Sequence, residues 1–371
     1  MASSAPARPT GTSSTPVPLK WVGPLRISSP ALGGTQEISV PLATYETPLW
    51  PSVGRGARVS TMVEEGIRAV VVDERMTRSI LLEADDAATA LAAWRRLEDS
   101  REKLQAVVAT SSRFARLIDM HVQIVGDLLF LRLELTTGDA SGHNMVTLAG
   151  ERLMDHILAT IPGVRYVSPS GNYCIDKKAS AVNGILGRGK NVVTEILLPR
   201  EVVERRLRTS AAAVEKLNVR KNLIGSILAG SLRSANAHYA NMLLGFYLAT
   251  GQDAANIVEG SQGVTRAEDR DGDLYFSCTL PNVIVGSVGN GKGLPEVDEA
   301  LRLLGCREER EPGENGRRLA VLAAATVLCG ELSLLAAQTN QGELMRSHVV
   351  LERGAGRGDR VQAPPAQDPV S

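Results

Sequence analysis

The chain has 371 residues, of which 43% are apolar, and its 41 Lys and Arg residues balance 41 Asp and Glu residues. This length predicts two or three domains with enough apolar material for a proper core. The zero net charge argues against a nucleic-acid binder and against a polybasic protein of the membrane surface.

Other classes are excluded by particular residue types. The four cysteines form no CxxC pair and the five histidines no HExxH motif, so we predict no disulfide framework and no metal site. The N-terminal residues lack the apolar core of a secretory signal. The charge-free apolar stretches, such as Leu319–Gly330, are too short to cross a bilayer. We therefore expect a soluble, cytoplasmic protein that does not bind membranes.

The two ends of the chain differ in composition from the rest. Residues 1–17 are rich in Ser, Pro, Thr and Ala, and residues 354–371 are rich in Gly, Pro and Gln. Neither segment can bury enough apolar surface to fold alone. Both are predicted to be disordered tails.

The middle of the chain, residues 79–169, alternates between strand and helix patterns. In order, the predicted elements are a strand at Ser79–Glu83, a helix at Asp86–Glu98, strands at Ala115–Val125 and Leu128–Thr136, a helix at Asn144–Thr160 and a strand at Val164–Val167. The order βαββαβ is the ferredoxin-like arrangement, with a typical hairpin turn at Gly126-Asp127. We predict that residues 79–169 are a small domain inserted between residues 18–78 and 170–353, which form a large one.

The large domain is predicted to be mixed and mostly helical. One helical pattern covers Leu217–Thr250 with a break, and Gly251 marks its end. A second covers Arg317–Thr339 and is apolar nearly all round, as expected of a core helix. The predicted fold class is therefore α+β, a large helical and mixed domain with an inserted ferredoxin-like domain.

Two glycine-rich segments, residues 184–190 and 286–292, match the pattern GxxxxGK. A phosphate-binding loop of this kind continues with Ser or Thr, whose hydroxyl binds Mg²⁺, but Asn191 and Gly293 stand there. A nucleotide-triphosphate-binding protein therefore stays only a minor alternative. The loop at 286–293 still suits a close backbone approach to a pyrophosphate.

Four polar segments are candidates for chemistry. Glu46 lies between turn formers, Ser170–Lys178 carries two adjacent cations, and Thr137–Met145 joins a strand end to a helix start, which suits an anion or a ribose. His238 and Asn241 share one helix face. From spacing alone, structural interpretations stay open: an exposed carboxylate, a solvated turn and a hydrogen-bonded core pair.

Taken together, these segments resemble the 3-hydroxy-3-methylglutaryl-coenzyme A reductase family, over about residues 38–353, and its class I form most. The resemblance is carried by SGNYCIDKKASAVNGILGRGKNVVTE, NVRKNLIGSILAGSLRSANAHYANM, YLATGQDAANIVEGSQ, PGENGRRLAVLAAATVLCGELSLLAA, SSRFARL and the terminal RSH. It implies an oxidoreductase of the mevalonate pathway of isoprenoid biosynthesis. The implied reaction converts 3-hydroxy-3-methylglutaryl-coenzyme A into mevalonate and coenzyme A with two NADPH.

The resemblance also implies site residues. The matching catalytic residues are Glu46 in ATYET, Lys177 in DKK, Asp253 in GQD and His348 in the terminal SH pair. The matching substrate-binding residues are Arg55, Arg78, Ser170, Asp176, Lys178, His238 and Asn241. The matching NADPH-binding residues are Ser112, Arg113, Asp139, Asn144 and Gly289.

The implied chemistry assigns each catalytic residue a physical task. Lys177 would stabilise the oxyanion that develops on the thioester carbonyl, and Asp253 would keep Lys177 charged. Glu46 would supply a proton near neutral pH, which requires desolvation and a raised pKa. His348 would protonate the departing coenzyme A thiolate.

The distance between Asn241 and Asp253 bears on the oligomeric state. In a continuous helix over residues 241–253, Asn241 and Asp253 would lie roughly 18 Å apart. Either the helix breaks before Asp253 or the site is shared between subunits. The resemblance implies a homodimer, or a larger oligomer built from such dimers, with shared active sites.

Two departures from the family leave alternatives open. The family's DAMGMNM segment reads DASGHNM, so Ser141 and His143 replace two methionine contacts to the cofactor. A non-catalytic coenzyme A-binding protein would result if His143 blocked the cofactor. The same fold could also oxidise mevalonate with NAD, although Ser112 and Arg113 match positions that bind the 2′-phosphate of NADPH.

Overall fold

The structure is a computed structural model that describes residues 15–343. The strands in this range are β1 (Leu19–Ser29), β2 (Gly34–Ala43), β3 (Ile67–Ala84), β4 (Leu117–Val125), β5 (Leu128–Leu135), β6 (Val164–Ser168), β7 (Gly189–Leu198), β8 (Ser234–Ala235), β9 (Gly263–Arg270) and β10 (Asp273–Val283). The α-helices are α1 (Leu49–Ser60), α2 (Ala87–Glu98), α3 (Arg101–Ala109), α4 (His143–Thr160), α5 (Ala181–Leu186), α6 (Arg200–Val202), α7 (Ala211–Leu217), α8 (Ser226–Leu228), α9 (Tyr239–Ala249), α10 (Ile257–Gly260), α11 (Pro295–Leu303) and α12 (Glu314–Gln338). Short 3₁₀ turns cover Pro30–Leu32 and Ala254–Asn256, and π-helical segments cover Val203–Leu207 and Asn218–Gly225.

The larger sheet has the strand order β2-β1-β3-β7-β10-β9-β8 and packs against the long apolar helix α12. Its pairs are antiparallel except β1 with β3 and β8 with β9. Helix α12 is long and apolar enough to cross a membrane, but 94% of its apolar window is buried inside the protein. The predicted core helix at Arg317–Thr339 is therefore confirmed, with its start three residues earlier at Glu314.

The smaller sheet has the order β4-β5-β3-β6, and all its pairs are antiparallel. Helices α2, α3 and α4 contribute buried side chains to a second hydrophobic core beside it. This is the strand order of the predicted ferredoxin-like unit. The additional helix α3 (Arg101–Ala109) was not predicted.

Strand β3 joins the two sheets, because its first half pairs with β7 and its second half with β5 and β6. The predicted strand at Ser79–Glu83 was too short. Charged residues at Asp73–Arg75 interrupt the apolar pattern, yet the structure pairs Arg75 with Asp73 at 2.6 Å and with Glu134. The division into two domains stays a prediction, and β3 continues through its proposed boundary at residues 78 and 79.

The helical pattern over Leu217–Thr250 is interrupted, as its predicted break indicated. The structure has α7, a π-helical segment and α8, then a non-helical segment over residues 229–238 before α9 begins at Tyr239. Gly230 and Arg233 adopt left-handed conformations in that segment. Helix α9 ends before Gly251, whose φ of +62° is also left-handed, as predicted for a helix end. Asp253 therefore lies outside the helix.

Candidate functional site

Ten of the sixteen predicted site residues line one of two clefts. The Lys177 cleft has a volume of about 600 Å³. Its lining includes Arg78, His143, Asn144, Asp176, Lys177, Arg188, Asp253, Gly289 and Lys292. The Glu46 cleft has a volume of about 430 Å³. Its lining includes Glu46, Ser52, Arg55, His238, Asn241 and Ser333, and the two clefts have no lining residue in common.

An ion pair lies in the Lys177 cleft, where Lys177 Nζ is 2.7 Å from Asp253 Oδ2. The hydrogen bond to Asp253 raises the pKa of Lys177. Burial acts to raise the pKa of Asp253, but hydrogen bonds from Lys177 and the Ala255 amide outweigh it, so this pKa is lowered. Each partner thus holds the other in its charged form.

The loop that carries Lys177 connects β6 to α5 and has an unusual backbone. Asn172, Ile175 and Lys177 have φ values of 56°, 30° and 56°, a region that L-residues rarely adopt. Ser170 and Lys178 lie on the same loop and are exposed, outside the cleft lining. The loop thus presents Asp176 and Lys177 to the cleft, whereas Ser170 and Lys178 lie at the surface.

His143 begins α4, directly after the left-handed Gly142, and its ring is mostly buried in the Lys177 cleft. Its Nε2 atom lies 3.6 Å from Asp176 Oδ1 and has no hydrogen-bond partner among the described residues. Burial, followed by the charge of Arg188, lowers the pKa of His143. The imidazole occupies the cleft without closing it.

The glycine-rich loop at residues 286–293 lies against the segment that precedes α4. The Ser287 amide donates to the Asp139 carbonyl at 2.9 Å, and Ala140 forms a parallel bridge with Val288. Gly286 must be glycine, because a Cβ there would lie 2.4 Å from the Ser141 amide nitrogen. Gly289 faces open space with a φ of +104°, so its backbone is accessible to a ligand.

The remaining predicted cofactor residues, Ser112, Arg113 and Asp139, are not part of the lining of the Lys177 cleft. The Arg113 guanidinium is 4.7 Å from the centre of the Phe114 ring, and Ser112 precedes it on the loop after α3. Asp139 accepts a hydrogen bond from the Gly316 amide at 2.8 Å, in the first turn of α12. In this structure Asp139 therefore anchors the core helix to the loop before α4.

The lysine side chains of the two GxxxxGK segments, Lys190 and Lys292, are buried in the protein. Lys292 Nζ donates to the Gly251 carbonyl, and burial lowers its pKa to about 8. Lys190 is buried near Glu74 and Asp139, and burial lowers its pKa as well. Both lysines are buried and the Lys292 ammonium is bound by a backbone carbonyl, so the alternative of a phosphate-binding switch gains no support.

In the Glu46 cleft, Asn241 Nδ2 donates to Glu46 Oε2 at 3.0 Å. His238 lies just before α9 and contacts the Gly330 carbonyl through Nε2 at 3.0 Å. Glu46 is exposed in the described structure, so residues 15–343 do not provide the desolvation predicted for it. A covering surface would have to come from elsewhere.

Sequence reasoning missed an arginine pocket of about 370 Å³ beside the Glu46 cleft. Its cationic lining consists of Arg55, Arg58, Arg205, Arg206 and Arg208. Arg55 contacts Glu343 at 3.1 Å and the Ser333 hydroxyl at 3.1 Å, and burial is the main cause of its lowered pKa. The sequence signal was the run ERRLR, which adds three arginines to the predicted Arg55.

The structure thus brings Lys177 and Asp253 together and pairs Glu46 with Asn241 in a different cleft. His348 lies outside the described residues.

The model of the family described as hydroxymethylglutaryl-coenzyme A reductase matches residues 11–353. The chain belongs to this family. It is 44% identical to 3-hydroxy-3-methylglutaryl-coenzyme A reductase of Pyrococcus abyssi over 91% of this chain and 82% of that protein. Its identity to the Aeropyrum pernix reductase is 45%, over 91% and 80% of the two chains.

A solved structure has the same fold. The class II reductase from Streptococcus pneumoniae, bound to NADPH in open conformations, aligns with a TM-score of 0.70 at 18% identity, over 89% of this chain and 86% of that one. The predicted family, the α+β fold and the reductase activity on 3-hydroxy-3-methylglutaryl-coenzyme A are confirmed. The likeness to the class I form stays a prediction.

Proposed function

We propose that this chain reduces 3-hydroxy-3-methylglutaryl-coenzyme A to mevalonate and coenzyme A with two NADPH, at the Lys177 cleft of a shared dimer site. The observation that carries the proposal is the 2.7 Å ion pair between Lys177 and Asp253. An ammonium at the carbonyl oxygen stabilises the oxyanion of each hydride addition. Asp253 keeps that ammonium charged and fixes its direction.

The cleft walls suit the two ligands. The cations Arg78 and Lys177 and the polar groups of Asp176 fit a substrate with a carboxylate and a hydroxyl. NADPH supplies a hydride at each of the two reductions. Asn144, at the start of α4, and the open backbone of Gly289 would hold its nicotinamide half and pyrophosphate. Ser112 and Arg113 would contact the 2′-phosphate.

The Glu46 cleft and the arginine pocket suit the coenzyme A half of the substrate. Its phosphates carry several negative charges, and Arg55 and its neighbouring arginines concentrate positive charge beside the cleft. Glu46, held by Asn241, would supply a proton to the reacting oxygen. His348 would protonate the departing thiolate.

A homodimer would bring the two clefts together. Large apolar side chains are exposed on the π-helical segment and the residues after it, where Ile227 is 76% and Leu228 is 82% exposed. Val219, Ile224 and Leu232 extend this apolar surface. Such a patch on a single chain is typical of an interface. We infer a soluble, cytoplasmic homodimer in which one subunit covers Glu46 of the other.

The first test is a spectrophotometric assay of NADPH oxidation with this substrate, with NADH and the reverse reaction in parallel. Lys177→Ala should lower kcat by about 10²–10³-fold, because it removes the electrostatic partner of the oxyanion. Lys103→Ala, at an exposed position of α3, is the matched control and should keep the wild-type rate. A folded Lys177→Ala enzyme with near-normal kcat would reject the assigned role.

A further inference from the structure

Arg188 is a buried arginine at the junction of the segments that build the Lys177 cleft, and its side chain is only 2% exposed. Its guanidinium donates to Asp176 Oδ1 at 2.6 Å and to Glu259 Oε1 at 3.1 Å. It also donates to the Thr77 carbonyl at 2.7 Å and to the Thr77 hydroxyl at 3.0 Å. Its backbone amide is fixed by Asn282 Oδ1 at 3.1 Å.

Two of these acceptors directly precede residues assigned to the site. Thr77 precedes Arg78 in β3, and Asp176 precedes Lys177 in the loop before α5. The guanidinium therefore bonds the segment that carries each of these cations. Arg188 is not itself among the residues that sequence reasoning selected.

The backbone near Lys177 needs such support. Left-handed conformations cost L-residues roughly 1–2 kcal/mol each, and they persist where neighbouring contacts over-determine them. Asn183 Nδ2 holds the Ile175 carbonyl at 2.6 Å on one side of Asp176. Arg188 holds the Asp176 carboxylate itself, next to the left-handed Lys177.

We propose that Arg188 is a positioning residue for the reduction: by binding Asp176, it holds Lys177 in the backbone conformation that places Nζ beside Asp253. The inference rests on the proposed function of the Lys177 cleft. The planar fork of an arginine spreads its donors over three nitrogens and so reaches acceptors on separate segments, whereas the donors of a lysine all lie on one nitrogen. Glu259 accepts a further hydrogen bond from the same guanidinium, at 3.1 Å.

The test compares Arg188→Lys with wild type in kcat, KM and NADPH affinity. Lysine keeps the buried positive charge, so the protein should fold, but it cannot span Asp176 and Glu259. We expect kcat to fall by about 10–100-fold and KM to rise, because Asp176 also lines the substrate cleft, with the NADPH dissociation constant within about threefold. Arg318→Lys is the matched control, because Arg318 is also buried but bonds Leu304 and Gln36 away from both clefts. Its kcat should not change.

A double-mutant cycle separates positioning from a general structural role. If Arg188 acts through Asp176, then Arg188→Lys should cause little further loss of kcat in an Asp176→Asn background. An equal fold-loss in both backgrounds, or a folded Arg188→Lys enzyme with wild-type kcat, would overturn the proposal.

Thr77→Val is the second variant in case Arg188→Lys does not fold, because it removes only one acceptor and preserves shape. It should lower kcat by about threefold, and an unchanged kcat would contradict the proposal. Assaying the wild-type enzyme in parallel distinguishes failure of the proposed function from failure of the role proposed for Arg188. A wild type without activity rejects the proposed function, whereas an active wild type with unaffected variants rejects only the role of Arg188.

Discussion

At the scale of single residues, two carboxylates share one buried guanidinium. Asp176 and Glu259 both contact Arg188, at 2.6 and 3.1 Å. Two anions beside one cation favour protonation of the more deeply buried carboxyl group. Burial raises the pKa of Glu259 to about 7, and the charge of Asp176 adds to the effect.

The sign of the resulting pH dependence follows from this raised pKa. The stabilisation from protonated Glu259 is complete below pH 4.5, its ordinary pKa, and is lost as the pH rises through about 7. Relative to Glu259→Gln, the wild-type free energy of unfolding should fall by about 2–3 kcal/mol across that window. Urea denaturation at several pH values measures it, with the exposed Glu64→Gln as control. A difference between wild type and Glu259→Gln that is independent of pH would contradict the assignment.

At the scale of elements, the sequence predicts those helices and strands whose apolar residues recur at a regular spacing. Helix α12 and the strands of the small sheet follow apolar patterns that one chain segment satisfies by itself. Strand β3 does not, because Asp73–Arg75 become compatible with a strand only when residues distant in sequence pair with them. The sequence indicated a break within Leu217–Thr250 but not its position, and the structure places the non-helical residues at 229–238.

The arginine pocket is formed by α1 together with the segment from α6 to α7. We expect this pocket to contribute to the affinity for the substrate. Arg208 lies close enough to Arg55 for its charge to lower the pKa of Arg55. Arg208→Ala should raise KM for the coenzyme A thioester by about three- to tenfold at unchanged kcat, because a charged contact to phosphate is lost.

Steady-state kinetics at low and high salt measure this change, which should shrink as salt screens the contact. Arg152→Ala, at an exposed position of α4, is the control. A pantetheine thioester without the nucleotide should show no difference between Arg208→Ala and wild type. An equal effect on both thioesters would exclude phosphate recognition by this pocket.

At the scale of the whole molecule, residues with one implied task are divided between two clefts. Lys177 and Asp253 meet because α9 ends before Gly251 and releases the following residues from the helix. Glu46 instead meets Asn241 in a cleft that shares no lining residue with the first. The resemblance assigned these residues to one reaction, but their separation within a chain could not be read from the sequence.

Glu46 and Lys177 could act in one site if the Glu46 cleft of one subunit faced the Lys177 cleft of the other. The exposed Glu46 would then be desolvated by the partner, and the apolar surface around Leu228 would be buried. The sequence predicted that residues of one linear motif, such as Asp176 and Lys177, lie in the same site. Contacts between subunits depend on surface shape, which local sequence does not encode.

The most direct test of the shared site mixes two inactive variants, Glu46→Gln and Lys177→Ala, under conditions that exchange subunits. Random reassociation places one intact site in each mixed dimer, so activity should recover to about a quarter of the wild-type value. Asp253→Asn mixed with Lys177→Ala should recover nothing, because both changes lie in the same cleft. Recovery to about a quarter only in the first mixture is the predicted result, and no recovery after demonstrated exchange would contradict a site built from both subunits.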